Sequence, residues 1–368
     1  MKIVVAPDSF KGSASSQEIS QWIESGIQSI IPECEIVKLP IGDGGEGTLS
    51  AVQSAGFELH EVEVIGPSGN TVHAFFGMRA DVALVELAEA SGLAKLLDKT
   101  RVPLTATSFG TGQLIKAALD CGANKIIIAV GGSATTDAGA GALQALGARL
   151  RDSNGQEISL GGAALLDCSE IDLKEVDPRI HSVEFILASD VTNPLTGPNG
   201  AARIYAPQKG ASVSDVSLLA RALEHFAELA GTKHSQTPGS GSAGGFGFMA
   251  LTFLRAKFQS GIDTVLELVN FEHNLNGTDL VITGEGKFDS QSLNGKAPIG
   301  ILKIASKHGI PVALICGQSV LNSSDENASQ FRSIHTLISQ EQNIKKCFKY
   351  PGPIIEKISE SIAKSLIT

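Results

Sequence analysis

The sequence predicts an α/β protein whose parallel-sheet domain is interrupted by an inserted second domain that opens with an antiparallel hairpin. Three observations carry that prediction. Unbroken apolar runs, each ending in a polar or glycine-rich segment and then a helical pattern, stand at the start of the chain and again near its end. Between them lies a stretch in which apolar and polar residues alternate, the mark of antiparallel strands with one polar face. The length, 368 residues, suits two domains.

The first strand is read at Ile3–Ala6, followed by Pro7-Asp8-Ser9-Phe10-Lys11-Gly12 and a helix from about Ser15. Ser15 and Glu18 form a capping box, and Ile19, Trp22, Ile23, Ile27 and Ile30 mark the buried face. Cys34–Ile41 is the next strand, ending in the glycine-rich run 42–48 and a further helix. Val62 and Val64, then Val72, Ala74, Phe76 and Met78, alternate about a Pro67-Ser68-Gly69-Asn70 turn and predict a hairpin. Val82–Leu87, Ile126–Val130 and Phe185–Ala188 read as strands, Thr111–Gly122 and Asp137–Leu146 as helices, and 232–245 as a loop. Parallel character resumes at Leu280–Thr283, with a helix from about Lys296, a strand at Val312–Cys316 and a last helix over Ile354–Leu366. These boundaries divide the chain into a discontinuous domain, 1–63 with 266–368, and an inserted domain, 64–265.

Composition narrows the function. A net charge of −10 argues against a nucleic-acid partner, which needs a basic face. Hydrophobic residues are 42% of the chain, yet no 18-residue apolar run exists, so no membrane span is expected. The five cysteines are scattered, without CxxC spacing, as in a cytoplasmic protein with reduced thiols. The apolar run before Pro7 is too short for a signal peptide. The histidines show no metal-ligand spacing, and no GxSxG or Walker A sequence occurs.

Five polar loops follow predicted strands: 8–12, 42–48, 131–137, 189–193 and 284–289. Ligands of open α/β sheets bind beyond the carboxyl ends of strands, so these loops point to one shared cleft. Gly131-Gly132-Ser133-Ala134-Thr135-Thr136-Asp137 is the phosphate-loop candidate, with backbone N–H groups and the hydroxyls of Ser133 and Thr135 as donors. Its plain alternative is a tight strand–helix turn capped by Thr136 or Asp137. Gly239-Ser240-Gly241-Ser242-Ala243-Gly244 matches GxGxxG, but no strand precedes it, and a nicotinamide-dependent oxidoreductase rests on that match alone. A non-catalytic sugar-acid binding protein is a third reading, although it needs fewer cleft carboxylates.

Taken together, APDSFKGS (6–13), GDGGEGT (42–48), TSFGTGQLI (107–115), VGGSATTDAGAG (130–141), SDVTNPLTG (189–197), APQKGA (206–211), PGSGSAGGFG (238–247) and TGEGKFDSQSLNGKAPIG (283–300) closely resemble the type I glycerate kinases. The resemblance implies a flavodoxin-like domain interrupted by a mixed-sheet domain, with the active site in the cleft between them. It implies transfer of a phosphoryl group from ATP to D-glycerate, usually at the 2-position in bacterial members, with Mg²⁺. Another small hydroxy acid is the alternative acceptor. On this reading Lys11 and Lys296 pair with the glycerate carboxylate or with phosphate. Asp43, Glu46, Glu285 and Asp289 are candidates to hold Mg²⁺ or hydroxyls, since the hard cation takes oxygen ligands. Asp8, Ser9, Lys11, Asp43 and Asp289 are the expected substrate contacts, and Gly131, Gly132, Ser133 and Thr135 the nucleotide contacts. Asp190, at a strand end, is the expected base beside the reacting hydroxyl.

Overall fold

The structure of the protein, a computed structural model, describes residues 1–42, 47–97, 100–289, 292–294, 296–321 and 328–367. In chain order the strands are β1 (Lys2–Pro7), β2 (Glu35–Lys38), β3 (Glu58–Ile65), β4 (Thr71–Arg79), β5 (Val82–Glu86), β6 (Lys125–Ala129), β7 (Arg149–Arg151), β8 (Glu170–Asp172), β9 (Glu184–Ala188), β10 (Lys257–Gln259), β11 (Leu280–Phe288), β12 (Val312–Ser319) and β13 (Ser333–Thr336). Among the described residues they form a five-stranded sheet, a six-stranded sheet and the small antiparallel pair β7–β8. The chain divides into two compact units. A terminal unit comprises Met1–Asp43, Ser50–Gly56 and Ile262–Thr368, and an inserted unit comprises Gly44–Leu49 and Phe57–Gly261.

In the terminal unit the strand order is β13-β12-β11-β1-β2, and every pairing is parallel. Counted within the unit alone, this is the flavodoxin-like order 2-1-3-4-5. Both faces of the sheet are covered, which is why the central strands β1, β11 and β12 carry continuous apolar runs. Ile3 and Val5 point into one core with Ile19, Ile23, Ile27 and Ile355, while Val4 and Ala6 point into the other with Val265, Ile301 and Leu314. Ser15 caps the helix Ser16–Gln28 through the predicted box with Glu18. That helix packs closely on the helix Gly352–Ile367 at Gly26. A Cβ at Gly26 would stand 2.3 Å from the Glu356 carbonyl oxygen and 2.7 Å from Ser359 Cβ. Alanine favours helix over glycine, but here it forces the two helices apart. Gly26→Ala is therefore expected to lower the unfolding free energy by about 1–3 kcal/mol, measured by urea denaturation. An unchanged midpoint would show that the pair has slack.

The inserted unit has the order β10-β9-β6-β5-β4-β3. β5, β6, β9 and β10 run parallel, and the β3–β4 hairpin adds two antiparallel strands at one edge. The predicted hairpin is present and longer than its sequence reading. The boundary at 63/64 falls inside β3, whose pairing with β4 from Glu58 onward belongs to this sheet. The helix read at Asp137–Leu146 starts later, at Ala140, because Ala138 and Gly139 have φ of 54° and 73°. Within the 232–245 segment read as a loop, Thr232–His234 makes a 3₁₀ turn, and Ala243, Gly244 and Gly245 have φ of 50°, 69° and 94°, so regular helix begins only after them, at Phe246.

Candidate functional site

In the terminal sheet the chain runs from β1 to β2 on one side and resumes with β11 on the other. The carboxyl ends of β1 and β11 therefore form the topological switch point, where loops diverge and leave a crevice. The register makes this crevice asymmetric. β1 pairs with β11 only as far as Pro7 opposite Gly284, whereas β11 continues beside β12 through Glu285 opposite Cys316 to Phe288 opposite Ser319. Glu285, read from sequence as a loop residue, thus stands on a strand that overshoots its neighbour.

A cavity of about 360 Å³ opens there. Its polar lining includes Asp8, Ser9, Lys11, Glu285, Lys287, Lys296 and Gln318. The Asp8 N–H continues the ladder to the Gly284 carbonyl at 2.8 Å, and the Ser9 N–H donates to Asp8 Oδ1 at 2.6 Å. After them the chain turns tightly. The Phe10 N–H donates to the Ala14 carbonyl, the Ala14 N–H donates back to that of Phe10, and Gly12 takes φ 76°. Lys11 is held out at the tip of this turn, exposed. Lys296 occupies the N-cap position of the helix Ala297–Lys307.

Glu285 is the electrostatic centre. It is only 6% exposed, and its Oε1 is buried without a hydrogen-bond partner. Burial pushes its carboxyl up to about 7; a hydrogen bond with Ser292 and the charges of Lys296 and Lys11 pull the other way, and Asp289 reinforces the rise. A lone buried carboxylate oxygen beside two ammonium groups is costly by itself. A cation or a hydroxyl entering the cavity would relieve that cost.

The structure therefore brings together Asp8, Ser9, Lys11, Glu285 and Lys296. Asp289 lies beside them, paired with Lys287 at 3.0 Å. Asp43 and Glu46 lie outside the described residues. Lys287 and Gln318 were missed because the sequence reading ended β11 and β12 too early.

The remaining predicted residues belong to the inserted unit. Asp190 is exposed, and its Oδ1 accepts from Ser260 Oγ at 3.0 Å and from the Gly261 N–H at 2.9 Å, as a cap at the start of the helix Gly261–Leu268. Gly131 and Gly132 remain near the surface, but Ser133 is 7% exposed and Thr135 fully buried. The Ser133 hydroxyl and the Thr135 carbonyl accept from Lys209 Nζ, at 2.8 and 2.6 Å. The Ser133 hydroxyl thus meets a buried lysine, while the Thr135 hydroxyl is buried without a hydrogen-bond partner. Asp137, also fully buried, accepts from the Ser108 N–H and hydroxyl, both at 2.8 Å, and from the Gly139 N–H. In the GxGxxG segment, Ser240 and Ser242 spend their hydroxyls on the Ser235 and Gly239 carbonyls, and no strand leads into it. Glu86, which ends β5 and is 2% exposed, accepts from the Gly47 and Leu49 N–H groups. It fixes the exit of the glycine-rich run at 42–48, a role that a buried acid at the end of an apolar strand hints at.

Lys209 has a measurable consequence. Burial lowers its ammonium from 10.5 to about 7, against the opposing pull of Asp137. Between those values the unfolded chain holds a proton that the folded chain lacks, so raising the pH favours folding. From pH 7 to 9 the parent should gain about 2–3 kcal/mol over Lys209→Met, at about 1.4 kcal/mol per unit. Urea unfolding across that range reads the difference, and parallel curves for the two proteins would mean the lysine stays charged.

The parallel-sheet fold, with lysines and carboxylates lining one cavity at its switch point, has the organisation of an α/β enzyme. The glycerate kinase family pattern matches residues 3–367. Over its full length the chain is 45% identical to a glycerate kinase of Bacillus subtilis (strain 168) and 43% identical to a glycerate 2-kinase of Escherichia coli (strain K12), covering 98% of each. A crystal structure from Salmonella typhimurium LT2, described as a glycerate kinase 2, superposes with a TM-score of 0.86 at 40% identity, covering all of this chain and 98% of that one. The chain belongs to the glycerate kinase family and is a phosphotransferase. That membership displaces the oxidoreductase reading.

Proposed function

We propose that this enzyme phosphorylates D-glycerate with ATP, at the 2-hydroxyl, in the cavity at the β1/β11 switch point. The observation that carries the proposal is the meeting of Lys11, Lys296, Asp8 and the orphaned Glu285 carboxylate in one cavity. Phosphoryl transfer asks little covalent chemistry of a protein. It asks for alignment and for charge to meet the transferred oxygens. Lys11 and Lys296 supply that charge and hold the acceptor's carboxylate. Asp8, beside Ser9, is the carboxylate suited to accept the hydrogen bond of the attacking hydroxyl, since Asp190 serves as a helix cap. The 2-position is supported by the similarity to a relative named glycerate 2-kinase.

Mg²⁺ is the metal such a reaction implies. Among the described residues no three His, Cys, Asp or Glu side chains gather into a metal site. Mg²⁺ keeps water and phosphate oxygens and takes only one or two carboxylates from a protein, so the donor chemistry fits. Glu285 would hold it through its unpartnered oxygen, and Asp43 and Glu46 remain candidates by their sequence position. Bound there, the ion would neutralise charge on the donor's phosphates. A cytoplasmic site of action accords with the described helices, none of which is long and apolar enough to cross a membrane.

The test is phosphorus NMR of the product formed from ATP, Mg²⁺ and D-glycerate. The expected result is glycerate-dependent ADP release with the phosphate on the 2-oxygen. ADP release that is equal without glycerate would refute the activity, and a 3-phosphate would refute the position.

A further inference from the structure

The cavity has two walls of opposite character. One is the polar set already described. The other is apolar: Leu337, Ile338, Ile344, Cys347 and Phe348, from the segment that follows β13. Glycerate has an oxygen on every carbon and no use for that wall. The segment is anchored to the lysine turn. Ser13 Oγ donates to the Phe348 carbonyl at 2.5 Å, and the bare Gly12 lets the Phe348 ring approach so closely that a Cβ there would lie 3.3 Å from its Cζ. Leu337 is 1% exposed and Cys347 6%, so the base of the wall is packed. At its mouth Ile344 is 66% and Phe348 55% exposed, which leaves apolar surface open to water within reach of three lysines. Small-molecule pockets pair an apolar lining with a few placed polar groups.

From this pairing we infer that the Leu337–Phe348 wall binds the purine ring of the phosphoryl donor, with the polyphosphate directed toward Lys11, Lys287 and Lys296. The inference rests on the kinase reading and assigns the donor to this cavity. It replaces the Gly131–Thr135 loop as the nucleotide contact, because the Ser133 hydroxyl meets Lys209 and the Thr135 hydroxyl is buried. A flat, weakly solvated ring suits the exposed Phe348 face, and its stacking adds to the area it buries. A triphosphate suits the lysines at the opposite end.

The test uses the double variant Ile344→Asp/Phe348→Ala, both positions being exposed enough to change without loss of fold. Titration calorimetry measures ADP, and inorganic tripolyphosphate serves as the ring-free control. The expected result is ADP binding at least tenfold weaker in the variant with tripolyphosphate binding unchanged. In turnover the KM for ATP should rise while that for glycerate stays constant. Unchanged ADP affinity in a variant of an active parent would overturn the inference and leave the kinase reading intact, as would an equal loss for ADP and tripolyphosphate. A parent that neither binds ADP nor turns over would overturn both.

Discussion

Lys11→Ala should lower kcat/KM for glycerate phosphorylation by about 10²–10³-fold, as removal of a preorganised charge-stabilising donor does in other active sites. The residue stands at the tip of a turn stitched by the Phe10–Ala14 bonds and lines the cavity. Because the side chain is exposed, the fold gives up little when it is cut back. Thermal unfolding should move by no more than a degree or two. Lys11→Arg keeps the charge but not the point geometry of an ammonium, and should recover only part of the rate. Near-parental kcat/KM in the alanine variant would remove Lys11 from the site.

Glu285→Gln should have an effect of similar size and an opposite signature in stability. The amide keeps the shape and loses the charge. If the carboxylate holds Mg²⁺, kcat should fall by about 10²–10³-fold and the Mg²⁺ concentration for half-maximal rate should rise. Meanwhile the fold is relieved of a carboxylate that burial disfavours, so the variant should unfold at an equal or higher temperature than the parent. Loss of stability together with loss of activity would indicate a structural acid instead. The two substitutions act in one cavity, so their combined effect should be less than the product of the two.

Parallel strands buried on both faces, such as Ile3–Ala6, were legible as unbroken apolar runs. The hairpin was legible from alternation. The helix start at Ser15 was legible from its reciprocal bonds with Glu18. What escaped reading followed from tertiary context. β13 is a short edge strand of half-buried residues, Ser333–Thr336, with no apolar run to announce it. β11 appeared to stop at Thr283 because Gly284-Glu285-Gly286-Lys287 has the composition of a loop. It continues because β12 lies alongside and because Gly317 has no Cβ, which would stand 2.4 Å from the Gly286 carbonyl oxygen. Of the site, the residues at the ends of β1 and β11 were readable as strand-end chemistry. The inward turn of Ser133 and Thr135 was not, since it depends on Lys209, and a lysine between Gln208 and Gly210 carries no mark of burial.

The pairing of β1 with β11 joins residues separated by 277 positions, as the Thr283 hydroxyl bonded to the Ala6 carbonyl illustrates. On the ribosome β1 and β2 emerge first, yet the central partner of their sheet is made only after the whole inserted unit. Contacts of such long sequence separation form late, because chain entropy is spent before they repay it. The inserted unit, complete by Gly261, is free to fold while synthesis continues. During that interval the apolar strand Ile3–Ala6 has β2 on one edge and nothing on the other, so half of its backbone hydrogen bonding waits for the last third of the chain.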